Sequence, residues 1–290
     1  MKFGRIFNMK VQVDELTKPD NTVLLAYPLT VDFEISRNTL ASANTGRFRI
    51  YNLQENTRKQ IFHDRYDTLN YRRVAFNAGY QDQRPLPLAF QGNIIQAYSV
   101  RQGTEWVTEI ECYDGGFGII NSQVSATVPG GSTVKSAIQA VLGSLKNISP
   151  GAISDFSEKN ERGVALAGNS WDVIGRLAGD GAAFVDLEKA NVLKKNEYIQ
   201  NLQGISLITS DTGLLGTPRR HDARIDVDIL FEPRAVVGQI VELRSLETIN
   251  NGTYMIMGVS HRGTISGAVD RGVTTTLSLW AGTERLRAAA

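Results

Sequence analysis

The stretch Ser210–Leu243, SDTGLLGTPRRHDARIDVDILFEPRAVVGQIVEL, most constrains what this chain can fold into. Ile225, Val227 and Ile229 alternate with Asp226 and Asp228. A period of two suits a strand with one wet face, because successive side chains point to opposite sides. Turn formers precede it: Asp211-Thr212-Gly213 and Gly216-Thr217-Pro218 are set around a Leu214-Leu215 pair. Glu232-Pro233-Arg234 then breaks the strand, since proline cannot donate to a ladder. Gly238 precedes a second strand, Gln239 to Leu243. Nothing in the stretch has the pattern of a catalytic centre.

The same alternation runs through the first third. Val31, Phe33 and Ile35 alternate with Asp32, Glu34 and Ser36, and Phe48 and Ile50 alternate with Arg47, Arg49 and Tyr51. Phe3 to Val13 reads as an opening strand, followed by a turn at Lys18-Pro19-Asp20-Asn21. Further strands are expected at Arg72–Tyr80, Leu88–Ile95, Tyr98–Arg101 and Glu105–Tyr113. The last puts Trp106, Thr108, Ile110 and Cys112 on one face and Glu109 and Glu111 on the other. Among the early strands a short helix is expected over Gln54–Phe62, capped by Asn52, with Leu53, Thr57, Ile61 and Phe62 inward. Many short strands separated by turns indicate a barrel or sandwich.

After Asp114-Gly115-Gly116 the composition changes, and Pro129-Gly130-Gly131 ends the β region. Ser132 or Thr133 can cap a helix reaching about Leu145, whose Val134, Ala137, Ile138, Val141, Leu142 and Leu145 form one apolar stripe. A second helix is expected from an N-cap at Ser170 to Gly179, with Trp171, Ile174 and Leu177 inward. Paired strands follow at Ala182–Leu187 and Val192–Ile199. The last third adds strands at Gly252–Ser260 and Val273–Trp280, with Asn250-Asn251-Gly252 as a hairpin signal. The expected chain is mainly β with an α+β insert: a β-barrel over 1–126, a small α/β domain over 127–203, and a second β-barrel over 204–290.

Charge and cysteine content exclude several classes. With 31 Lys+Arg against 30 Asp+Glu, nothing suggests a protein that coats nucleic acid or an anionic membrane. The single Cys112 excludes an internal disulfide framework and suits a reducing compartment. MKFGRIFNMK lacks an apolar signal core, and no apolar run reaches membrane-spanning length, so synthesis and assembly in a cytoplasm are expected.

Candidate chemistry is sparse. His63, His221 and His261 are far apart in unlike contexts, which argues against a histidine metal site, and His261 reads as a polar residue at a strand end. Cys112 reads as a small buried hydrophobe. Asp226 and Asp228 could hold a cation or act as paired carboxylates, but alternation explains them as the solvated or interface face of a strand. Arg219, Arg220 and Arg224 around His221 could touch phosphate, but with a neutral overall charge a solvated loop or a salt-bridged subunit contact is the preferred reading. Asp180, between Gly179 and Gly181, reads as a turn after a helix. No Walker A, GxSxG, HExxH or GxGxxG pattern is present. No residue is nominated as catalytic, cofactor-binding or metal-ligating.

The order TGLLGTP, alternating strand, FEPR, VVGQIVEL resembles the start of the last β-barrel of baseplate hub proteins from contractile-tailed bacteriophages. FEISRNTLASANTGRFRIYNLQENTRKQI and FQGNIIQAYSVRQGTEWVTEIECYDG resemble that family's first barrel. VPGGSTVKSAIQAVLGSL through GNSWDVIGRLAGDGAAFVDLEKANVL resembles its insert, in a compact form. GTYMIMGVSHRG and VTTTLSLW resemble its closing strands. The resemblance implies a homotrimer whose six barrels join the sixfold tail tube, or a tube-terminating protein, to the threefold central spike. It implies wedge or inner-ring neighbours, a lumen that genomic DNA crosses without specific binding, no membrane insertion, and no enzymatic activity. The expected location is the baseplate of the virion, assembled in the bacterial host. Polar strand faces such as that of Asp226 and Asp228 are expected at subunit contacts. The rival readings are a tail-tip peptidoglycan-degrading enzyme, the hub of a non-viral contractile injection system, and a barrel-based nucleic-acid or glycan binder.

Overall fold

A computed structural model describes residues 4–13, 21–40, 43–67, 71–200, 204–268, 272–282 and 286–289. The turn expected at Lys18-Pro19-Asp20 lies outside them. The first third forms β1 (Arg5–Gln12), β2 (Thr22–Ala26), β3 (Val31–Asn38), β4 (Asn44–Tyr51), α1 (Glu55–Ile61), β5 (Arg73–Tyr80), β6 (Leu88–Gln102) and β7 (Glu105–Asp114). The middle forms α2 (Gly116–Asn121), β8 (Gln123–Val128), α3 (Val134–Leu142), β9 (Ser149–Ile153), β10 (Val164–Asn169), α4 (Ser170–Ala178), β11 (Ala182–Asp186) and β12 (Lys189–Leu193). Two-residue strands β13 (Glu197–Tyr198) and β14 (Leu207–Ile208) lead into β15 (Leu214–His221), β16 (Arg224–Leu230), β17 (Ile240–Leu243), β18 (Gly252–Ile265), β19 (Thr274–Trp280) and β20 (Arg287–Ala288).

Both ends of the chain join one sheet, in the order β15-β16-β19-β18-β3-β4-β7-β6-β5-β1-β2, with β17 on β18 and β14 on β17. Its seam is the antiparallel pair β18 and β3, with His261 opposite Ile35 and Arg262 opposite Glu34. The class is the expected one, mainly β with an α/β insert. Among the described strands, however, neither β region closes its ladder into a separate barrel, because β3 and β18 each use their second edge to join the two regions.

Alternation decides which side of the sheet is buried. Phe33, Phe48, Phe76 and Phe90 pack together in the first core, with ring centroids 5.1 Å apart for Phe33–Phe76 and 5.0 Å for Phe48–Phe76. Phe231, Ile265 and Val273 from the last third enter that same core. Ile225, Val227, Ile229, Leu277 and Leu279 build a second core, which also takes Phe184 and Leu193 from the insert. The stripe Ala137, Ile138, Val141 and Leu142 of α3 meets Trp171 and Ile174 of α4 in a third. Leu145 is buried there as well, although α3 itself ends at Leu142.

Several local expectations are corrected. Gly216-Thr217-Pro218 is not a turn but lies inside β15, where a register shift between Leu215 and Arg219 absorbs it. Proline is tolerated there because β15 is an edge strand. Asn52 does not cap α1. It takes φ of 57°, which asparagine tolerates, accepts from the Trp106 N–H at 3.1 Å and donates its own N–H to the Trp106 carbonyl at 2.8 Å. Phe62 is 56% exposed because the helix stops at Ile61. The strands expected at Leu88–Ile95 and Tyr98–Arg101 are one strand, β6, bulged between Ile94 and Gln96. The insert hairpin pairs Ala182–Asp186 with Lys189–Leu193, so its turn is only Leu187-Glu188. His261 lies inside β18, which runs to Ile265, and is fully buried.

Candidate functional site

The three cores meet at a buried polar junction. Arg37 continues the inward parity of Val31, Phe33 and Ile35 and is 1% exposed. Its guanidinium donates to both Asp186 oxygens, at 3.2 and 3.3 Å, in the insert, and to the Ala235 carbonyl at 2.5 Å in the last third. His261 Nε2 lies 3.4 Å from the same guanidinium, and His261 Nδ1 lies 2.8 Å from the Thr275 hydroxyl. Thr275 in turn accepts from the Glu232 N–H at 2.9 Å. Burial, and then the Arg37 cation, hold His261 well below the usual histidine range, so the ring is neutral. One buried cation thus ties together three parts of the chain that are distant in sequence.

Asp114 sits beside it, on the parity of Ile110 and Cys112 in β7, with no exposure. Its two oxygens accept the N–H groups of Leu187 at 2.6 Å and Glu188 at 2.7 Å. These residues form the β11–β12 turn with φ of 54° and 56°, a region that usually takes Asn or Gly. The Asp114 side-chain oxygens hold in place a turn that local sequence alone disfavours. Burial, and then the Asp186 charge, push Asp114 up to about 8, while the two amides pull it back. Glu188 reaches over the first β region and accepts from the Tyr71 hydroxyl, from Gln91 at 2.5 Å and from Arg73 at 2.5 Å. Burial and the Glu188 charge raise the Tyr71 phenol far above its ordinary value. A cleft of about 930 Å³ opens here, lined in part by Tyr71, Arg73, Gln91, Glu188 and Asn191. Asp186 and Glu188 on its wall are both engaged, so they do not present an acid–base pair.

The histidines stay apart: His63 is buried in a bridge to Ala97, His221 is exposed on β15, and His261 is in the junction. Burial, and then Arg72, lower His63. Among the described residues no group of three His, Cys, Asp or Glu is arranged to hold a metal ion. Cys112 is fully buried and its thiol is raised by burial, as a small core residue would be. The acidic pair and the basic cluster turn out to be one ladder. Asp226 accepts from Ser278 at 2.7 Å and pairs with Arg224 at 3.2 Å; Asp228 accepts from Thr276 at 2.6 Å and pairs with Arg219 at 2.7 Å. The Arg219 hydrogen bond holds Asp228 below its ordinary value. Arg220 and Asp180 are exposed. The junction residues Arg37, Asp114, Asp186 and Glu188 were not singled out from sequence. For Arg37 and Asp114 a signal existed, because each continues an apolar parity.

Solved structures share this architecture. The tail protein from Neisseria meningitidis MC58 aligns with a TM-score of 0.62 at 11% identity, over 96% of this chain and 97% of that one. The 43 kDa tail protein of prophage MuSo2 from Shewanella oneidensis aligns with a TM-score of 0.61 at 8% identity, over 96% and 98%. An E. coli component of the type VI secretion system, described as structurally similar to T4 tail proteins gp27 and gp5, aligns at 0.58 and 12% identity over 91% and 76%. The fold is therefore shared with these tail proteins. A family model described as Baseplate hub gp41 matches residues 7–262, and the chain belongs to that family. It is a structural protein of a tail baseplate. No curated protein sequence matches it.

Proposed function

We propose that this protein is a non-enzymatic hub subunit, three copies of which join the sixfold tail tube to the threefold central spike. The observation that carries this reading is the β18–β3 seam. It fuses two β regions from opposite ends of the chain into one sheet, so each copy offers two β units as one body and three copies offer six. Closure of three copies into a ring avoids an open filament. In this reading 1–126 and 204–290 are the two tube-like units and 127–203 is the insert. A tube or tube-terminating protein lies above, the spike below, and wedge or inner-ring proteins around. Genomic DNA crosses the lumen without specific binding, and assembly takes place in the host cytoplasm.

Native mass spectrometry of the protein with its spike partner tests this. Three copies are expected, and a dimer, a hexamer or a persistent monomer would overturn it. Murein clearing by the purified protein on a zymogram would overturn the non-enzymatic part. The likeness to a type VI secretion component supports a second reading, the hub of a non-viral contractile injection machine. Electron microscopy of the native particle, with or without a DNA-filled head, separates the two.

A further inference from the structure

The insert is held to the sheet in two ways. The body of the β11–β12 hairpin is held by apolar packing, with Phe184 in the second core and Val185, Ala190 and Val192 in the third. Its tip is held by polar groups. Leu187 and Glu188 take φ of 54° and 56°, left-handed values that neither residue type favours, and each donates its N–H to an Asp114 oxygen at the end of β7. The fit is close. A Cβ on Gly115, the next residue, would meet Val185 Cγ1 at 2.7 Å, so no water fits between β7 and the hairpin there. On its outer side the tip faces the cleft of about 930 Å³, whose wall includes Asp186, Leu187 and Glu188.

The charges around Asp114 are matched without it. Asp186, on the hairpin, holds the Arg37 cation of β3 at 3.2 Å, and Glu188 holds Arg73 of β5. His261 of β18, against Arg37, is neutral, and Tyr71 donates to Glu188 and stays protonated. Lys189, beyond the turn, is exposed; Glu111 of β7 has the opposite parity and pairs with Arg47. β4 brings neutral Asn44, which donates to the Val185 carbonyl at 2.7 Å, and β6 brings neutral Gln91. Among the described residues Asp114 itself has the two amides and no cation. With Asp114 protonated the junction is therefore balanced. Ionised, it carries one excess negative charge out of reach of water, a cost that hydrogen-bonding amides offset only in part. Burial and the Asp186 charge outweigh the amides, and the group is pushed up to about 8.

We propose that the β11–β12 tip is a latch worked by the proton on Asp114: protonated, it closes the insert onto the sheet; ionised, it lifts toward the cleft and admits water, while the β18–β3 seam stays paired. The latch belongs to the folded chain and operates with or without partner subunits. When the tip lifts, Asp114 returns to its ordinary 3.8, against about 8 when closed. The lifted state therefore gains about tenfold per pH unit between those values and nothing further above about 8. In acid the latch is shut, and it loosens as pH rises through this window.

Hydrogen–deuterium exchange of the whole chain, from about pH 5 to about pH 9 and normalised to the unfolded chain, reads the latch. At neutral pH, peptides spanning 182–193 should be at least about tenfold less protected than those spanning 31–38 and 252–265 at the seam. Their protection should fall at least about tenfold between about pH 5 and about pH 7.5, then level off. In Asp114→Asn, which cannot ionise, that fall should vanish. Glu188→Gln keeps Asp114 and removes one neighbouring negative charge, so the levelling-off should move to lower pH. Equal protection of tip and seam would mean that the tip opens only when the whole chain unfolds, and would overturn the latch. So would a wild-type tip whose protection does not change with pH, a fall that persists in Asp114→Asn, or a levelling-off that Glu188→Gln leaves unmoved.

Discussion

Arg37 and Asp114 show how much one position can commit. Each continues the apolar parity of its strand, and each is buried where the insert meets the sheet. Arg37→Met leaves Asp186 buried without its cation, which should cost about 3–5 kcal/mol. Adding Asp186→Leu should recover much of that loss, because the uncompensated charge is then gone. Urea denaturation of both variants measures the difference, and equal losses would mean the pair is uncoupled. Asp114 makes a pH prediction. Its value in the folded chain, about 8, lies above its ordinary 3.8, so between these values the folded chain keeps a proton that the unfolded chain releases. The stability it contributes is therefore full in acid and is lost as pH rises through about 8. His63 and His261 act in the opposite sense: both are held below 6.5, so the stability they contribute is present above 6.5 and lost as pH falls. Subtracting the melting profile of Asp114→Asn from that of the wild type separates the acid from the histidines. The difference should shrink toward high pH; a flat difference would contradict the assignment.

At the scale of elements, α4 shows what periodicity can and cannot place. Its inward face was legible: Trp171 is 6% exposed and Ile174 is fully buried against the α3 stripe. Its cap was displaced by one residue. Asn169, not Ser170, accepts from the Trp171 and Asp172 amides, at 2.9 and 3.2 Å, while the Ser170 hydroxyl lies 2.8 Å from that of Ser144. Both residue types cap well, so only the position of α3 decides between them. Trp171→Ala should cost about 3–5 kcal/mol and Asn169→Ala about 1 kcal/mol, in that order, by chemical denaturation of the whole chain. A Trp171→Ala variant as stable as Asn169→Ala would show that the ring does not anchor the helix. The insert hairpin was misread for a related reason. Nothing in Leu187-Glu188 signals a turn, because the stabilising acceptor oxygens come from Asp114, far back in the chain.

For the whole molecule, the β18–β3 seam makes one body of two β regions that are distant in sequence. The 244–251 loop is closed by its own hydrogen bonds, with the Ser245 N–H donating to Asn251 at 2.7 Å and Tyr254 to the Asn250 carbonyl at 3.0 Å. It holds Leu246 at 99% and Ile249 at 76% exposure. A preordered loop that displays two aliphatic side chains would lose little conformational freedom if a partner covered it. Leu246→Asp should therefore leave the melting curve within about 0.5 kcal/mol of wild type while reducing incorporation into baseplates. Melting of the purified variant alongside quantification in particles checks this; normal incorporation would rule the loop out as a contact.

By itself the sequence determined which residues of the main strands and of the α3 and α4 helices face inward. Val31–Ser36, Ile225–Ile229 and the α3 stripe are local patterns, and a strand or helix period is written into neighbouring residues. Tertiary structure alone decided three other things: that the two β regions share one sheet, that Arg37 reaches Asp186, and that Asp226 and Asp228 are consumed by Arg224 and Arg219. Strand partners and buried ion pairs depend on which edges and charges meet in space. Alternation fixes a strand's faces but leaves both of its edges free to choose.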